Sequence, residues 1–169
     1  YVKSKTNDLW VEGGRTEIDD SDAYNRIDFA ADGELIIDGA AMVTEEIILS
    51  EGGTLRLADT AALDNLKLNR DFQGTFIVDK DFSWLPTEDN PAGDLLVNGT
   101  LVLNKHLNVV GSVMLEAYPG KITHEAGATE SGLTVGGTLF LGLNTLIDLR
   151  GMGLVAGQTI DPITGLQES

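Results

Sequence analysis

Short runs in which apolar and polar residues alternate recur along the chain, and many of them open with a glycine. They include Gly33-Glu34-Leu35-Ile36-Ile37, Gly53-Thr54-Leu55-Arg56-Leu57 and Gly74-Thr75-Phe76-Ile77-Val78. Gly93-Asp94-Leu95-Leu96-Val97, Gly111-Ser112-Val113-Met114-Leu115 and the weaker Gly132-Leu133-Thr134-Val135 follow. Alternation over three to five positions is the two-residue period of a strand, not the 3.6 of a helix. The opening glycines are 20, 21, 19, 18 and 21 residues apart. A period near 20 is too short for a helical hairpin and suits one turn of a solenoid of strands.

A second series lies between the first: Ile47-Ile48-Leu49, Leu66-Lys67-Leu68, Leu101-Val102-Leu103 and Leu139-Phe140-Leu141. Leu95 to Leu103 also aligns without gaps on Leu133 to Leu141, an offset of 38 or about two turns. Turn residues (Asp38-Gly39, Asn98-Gly99, Gly136-Gly137) separate neighbouring strands. One coil cannot bury its apolar side alone, but stacking coils about 4.8 Å apart pairs every strand in parallel and stacks Leu, Ile and Val in a column. The pattern therefore predicts an all-β parallel β-helix with about 20 residues per coil, six or seven coils from about Trp10 to about Leu149. Residues 1–153 form this body, and 154–169 are an extension or the start of a following segment. An antiparallel β-sandwich is the competing architecture, since it too is built of short strands. Asp59 to Leu66 has an N-cap residue and helix formers but is placed as a turn between coils. Ser83 to Ala92, with two of the four prolines, is expected to leave the flank as a loop.

Composition narrows the function. The 169 residues carry 11 Lys+Arg against 27 Asp+Glu, a net charge of −16, which opposes any phosphate backbone and excludes nucleic-acid binding. With 42% hydrophobic residues the chain can bury a core, so it is not an acidic disordered tail. No apolar run approaches the ~20 residues needed to span a bilayer. Cysteine is absent, which removes disulfides, thiolate nucleophiles and Cys-based zinc sites. The start at Tyr1 and the end at Gly165-Leu166-Gln167-Glu168-Ser169 suggest a segment of a longer protein.

The C-terminal part carries a resemblance. Gly136-Gly137-Thr138-Leu139-Phe140-Leu141 followed by Thr145-Leu146-Ile147-Asp148-Leu149-Arg150-Gly151-Met152-Gly153 forms a GTL-x-L … IDL-x-G-x-G pattern. Gly111 to Leu115 and then Ile122-Thr123-His124 precede it. This resembles right-handed parallel β-helix segments of large secreted or surface-attached bacterial proteins, including adhesin-like ones. The resemblance covers residues 93–153, and more loosely 33–80. It implies right-handed coiling, a secreted or cell-surface location, and a structural or adhesive role. The implied partners are other segments of the same long chain, or copies joined end to end. After Gly153 such proteins continue into a Gly-rich stretch, whereas here Leu154-Val155-Ala156-Gly157 leads to Asp161-Pro162.

Parallel β-helices also carry polysaccharide lyases and hydrolases, so catalytic residues were sought directly. Hydrolysis of a glycosidic bond needs two carboxylates facing across a groove. Asp79, Asp81 and Asp94 are the candidates for one flank, and Arg26 with Asp28 and Arg70 with Asp71 for a lyase-like base beside acids. Exposed ion pairs on a solvated face are the better account of these residues, no catalytic arrangement emerges, and the chain is read as not an enzyme. His106 and His124 are 18 residues apart, near one coil period, but no third metal ligand accompanies them. Calcium is the one cofactor with any support. Asp19, Asp20 and Asp22 place carboxylates close together in the acidic first 60 residues, which hold 14 acids and 5 bases. The Asp-x-Asp-x-Asp-Gly loop is absent there, and a charged, soluble surface explains the run as well. Asn98-Gly99-Thr100 fits an N-glycosylation sequon but is first of all a turn. Trp84 and Trp10 would stack on sugar rings if exposed and cover a core edge if buried. The expectation is a structural or assembly segment, with a glycan- or protein-binding module as the alternative and a polysaccharide-acting enzyme behind both.

Overall fold

The computed structural model describes residues 8–19, 23–30, 32–48, 52–62, 73–88, 90–115, 120–128, 131–142, 146–147 and 163–164. Three layers come first, each with two described strands. These are β1 (Leu9–Val11) with β2 (Gly14–Ile18), β3 (Ala23–Phe29) with β4 (Gly33–Ile37), and β5 (Met42–Ile48) with β6 (Thr54–Leu57). Three-sided coils follow. The first is β7 (Thr75–Val78), β8 (Phe82–Trp84) and β9 (Leu95–Val97), and the second β10 (Thr100–Leu103), β11 (His106–Val109) and β12 (Val113–Leu115). The third is β13 (Lys121–Thr123), β14 (Gly132–Val135) and β15 (Leu139–Leu141), and β16 (Leu146–Ile147) with β17 (Ile163–Thr164) belongs to a fourth.

Every strand pairing among the described residues is parallel, so the chain is an all-β parallel β-solenoid and not a sandwich. One sheet, β16-β13-β10-β7-β6-β4-β2, runs the length of the described structure. Sheet β1-β3-β5 accompanies its first half, and sheets β17-β14-β11-β8 and β15-β12-β9 its second. The expected six or seven like coils of 20 residues are corrected: about four turns of about 21 residues, the three-sided coils from β7 to β17, follow three layers with only two described strands each. The miscount has a geometric cause: the glycines counted do not occupy one corner. Gly33 opens β4, and Gly53 and Gly74 immediately precede β6 and β7 of the long sheet. Gly93 and Gly111 lead into β9 and β12 of a second sheet, and Gly132 opens β14 of a third.

The 38-residue self-match has a similar origin. Leu95 pairs in register with Val113, which pairs in turn with Leu139, whereas Leu133 pairs with Leu107, so the matched segments lie on different faces. What repeats is a strand, a short corner and a strand, placed on successive sides of the coil. Two further placements differ from expectation. Ser83 and Trp84 belong to β8, so the flank loop begins only at Leu85. Residues 59–62 are a turn and extended backbone; 63–66, and the strand expected at Leu66 to Leu68, lie outside the described residues. Past residue 153, β17 pairs with β14 and adds a strand to the same stack.

Alternation makes the core. On the long sheet, Leu35, Leu55, Phe76, Leu101 and Ile122 form one inward column, and Ile37, Leu57, Val78 and Leu103 the next. Phe82, Leu107 and Leu133 do the same on the second face, and Leu95, Val113 and Leu139 on the third. Among the described residues no polar or charged side chain is buried with them, so the interior is a dry apolar column. Leu141, in the edge strand of its sheet, is half exposed.

Candidate functional site

Two features stand along the long sheet: a groove at the corner that leads into it, and a polar ladder at the corner that leaves it. The groove is made by glycine. In register, Gly14, Gly33, Gly53, Gly74, Gly99 and Gly120 stack one above another just before or at the start of successive strands. Main chains of adjacent coils approach closely there. A Cβ at Gly74 would lie 2.5 Å from the carbonyl oxygens of both Gly52 and Gly53. Thr75, Thr100 and Lys121 each donate their amide to the glycine carbonyl one coil below, at 2.9 Å. Lacking side chains, the column leaves an open groove of about 490 Å³. Thr54, Thr75 and Thr100 form an in-register row along it, with Asp32, Glu34 and Gln73 beside them.

The ladder begins at Arg56, whose outward column contains Ile36 and Ile77 on either side. Its methylenes lie between aliphatic neighbours, as long cationic side chains favour. Arg56 reaches Asp79 and Glu125, both at 2.6 Å. Asn104 donates to the same two carboxylates at 2.7 and 2.8 Å, and its carbonyl oxygen accepts the Glu125 amide at 2.9 Å. Burial works against the Arg56 charge, but the hydrogen bonds to Glu125 and Asp79 outweigh it and raise the guanidinium pKa above its ordinary value. Four coils are thus clamped on one edge. Replacing Arg56 with methionine is expected to cost about 1 kcal/mol at neutral pH, the scale of a partly screened ion pair. The variant leaves two carboxylates around Asn104 without their cation. Urea denaturation of both proteins at neutral pH checks this; equal stability would contradict the ladder's role. One coil further toward the N-terminus, Asp38 accepts from the Thr60 hydroxyl and the Gly39 amide, which lower its pKa below the ordinary carboxylate value.

The carboxylates considered for catalysis all accept hydrogen bonds within the solenoid. Asp79 belongs to the ladder, Asp81 accepts the His106 amide at 3.1 Å, and Asp94 accepts the Ser112 amide at 2.7 Å. Asp81 and Asp94 each cap a corner of the coil above. Arg26 and Asp28 form a bidentate surface pair at 2.9 Å, which holds the guanidinium pKa up. Arg70 and Asp71 lie outside the described residues. His106 Nε2 lies 2.8 Å from the Thr134 hydroxyl on β14. His124 follows β13 on another face, and its Nδ1 lies 3.0 Å from the Glu125 carbonyl oxygen, which assigns the proton to Nδ1. The two histidines are not brought together.

Trp84 is 7% exposed, and its indole N–H donates to the Asp94 carbonyl at 3.1 Å. It covers the core edge beneath the flank loop and presents no free face to a sugar. Asn90 ties that loop together: its side chain donates to the Asp94 carbonyl at 2.7 Å and accepts the Asp94 amide at 3.2 Å. Trp10 is 58% exposed on β1, with Asp28 as its register partner. Asp19 is exposed, whereas Asp20 and Asp22 lie outside the described residues. Among the described residues no group of three His, Asp or Glu side chains could hold a metal ion.

The fold class these observations define is the parallel β-solenoid. No family model, curated protein or solved structure matches the chain.

Proposed function

We propose that the chain is a structural, spacing segment of a secreted or surface-attached bacterial protein, coiled right-handedly and joined end to end with like segments. The observation that carries this reading is the seven-stranded parallel sheet lying over an uninterrupted apolar column. Such a body resists unfolding because each rung is held by those above and below. The net charge of −16 keeps rods from adhering laterally. The outermost described strands, β1 and β2 at one end and β16 and β17 at the other, are where a neighbouring segment would add its strands. The β-helical sequence resemblance supports the cell-surface setting, and the main-chain amides that Asp81 and Asp94 accept favour a mechanical over a catalytic role.

Negative-stain electron microscopy of the protein isolated from its native source, with gold-labelled antibody against this segment, tests the reading. Label on elongated rods or fibres is the expected result. Label on compact particles confined to the cell interior would overturn it.

A further inference from the structure

The glycine-floored groove has the shape of a site for an extended ligand. It is concave, it runs parallel to the stacking axis, and its walls are polar. Thr54, Thr75 and Thr100 are register partners, so their hydroxyls recur at the coil rise of about 4.8 Å. These three side chains are half-buried, and no side-chain hydrogen bond is found for any of them among the described residues. Asp32, Glu34 and Gln73 add acceptors and one amide donor along the same wall. Among the described residues no aromatic ring and no Lys or Arg lines the groove, and the carboxylates of Asp32 and Glu34 oppose an anion.

We infer that the groove binds a linear, uncharged polysaccharide lying along the solenoid axis. A chain of hexoses presents hydroxyls at a regular advance close to one sugar per coil, and each hydroxyl both donates and accepts. That is the complement of a row of threonine hydroxyls flanked by carboxylates and an amide. The glycine column lets the chain approach the main chain, and the volume falls within the range of ordinary ligand sites. The acidic surface excludes polyuronates. This site does not depend on the chain's role as a spacer, since a rod of any origin would carry it.

The test is an NMR titration of the protein with a neutral β-linked glucose hexasaccharide, a hexasaccharide of amino sugars and a hexagalacturonate. The expected result is saturable shifts of the Gly53, Thr54, Gly74 and Thr75 amides with the neutral sugar and none with the galacturonate. The double variant Thr75→Val, Thr100→Val keeps side-chain shape and β-preference, and should bind the neutral sugar about tenfold more weakly. Its amide spectrum without sugar reports whether the fold is kept, and Glu34→Gln, which leaves the row intact, gives a second reading of the same wall. Absence of neutral-sugar binding, shifts centred elsewhere, or undiminished binding by a folded double variant would each overturn the inference. So would binding confined to the amino sugar and abolished by high salt, because diffuse charge then suffices.

Discussion

Replacing Phe76 with alanine is expected to destabilise the protein by about 3–5 kcal/mol, the range for truncating a fully buried aromatic side chain. Phe76 is completely buried in the inward column of the long sheet, with Leu55 its register partner below and Leu101 above. Its neighbours cannot close the cavity, because each is fixed by strand pairing to two coils and not by packing alone. The rest of its column carries Leu or Ile, so a leucine there would match the residues above and below. Phe76→Leu should therefore lose much less, roughly 1 kcal/mol. Guanidinium denaturation measures both. Hydrogen exchange should show the Phe76→Ala loss centred on β6, β7 and β10, the rungs that touch the cavity. A loss below about 1.5 kcal/mol for the alanine variant would mean that the coil collapses around the gap and that the column is softer than its burial implies.

How much of this was legible from sequence depends on which physical signal each element carries. The strands were readable because Leu35 and Ile37, or Leu55 and Leu57, alternate with polar positions, and burial on one face leaves that trace. Parallel stacking followed from a period near 20, too short for a helical hairpin and suited to one turn of a solenoid. The number of turns did not follow, because Gly74 and Gly93 look alike in sequence while serving corners of different sheets. Nothing local to a glycine says which carbonyl lies against it. Trp84 was ambiguous for a related reason: whether an indole covers a core or faces water is set by Asp94 and the loop folded over it, ten residues away. The ladder of Arg56, Asp79, Asn104 and Glu125 spans up to 69 residues and shows no motif. In hindsight, one signal was available: three of its members follow or occupy long-sheet strands at coil spacing. Corner acids that accept an amide from the next coil, as Asp81 and Asp94 do, cannot be told in sequence from acids poised for catalysis.

The second large effect is expected at Gly74, and it isolates the steric reason for the glycine column. Gly74→Ala should cost roughly 1–3 kcal/mol, toward the upper end because the atoms met are main-chain oxygens that cannot rotate away. Relief requires the Gly52-Gly53 corner and the Gly74 corner to separate, which strains the bond from the Thr75 amide to the Gly53 carbonyl. Gly127 provides the contrast. Its φ of 92° disfavours a side chain, yet nothing lies within 4 Å of the Cβ it would gain. Gly127→Ala therefore reports backbone preference alone, in an exposed turn where the change stays local. Thermal and urea unfolding of the two variants separate the contributions, and exchange of the Thr75 and Thr100 amides should accelerate only in Gly74→Ala. If Gly74→Ala is as stable as the parent to within about 0.5 kcal/mol, coil-to-coil approach is not what holds glycine there. The column would then be explained by the groove it leaves open, and the selective effect of Gly74→Ala would move from stability to sugar binding.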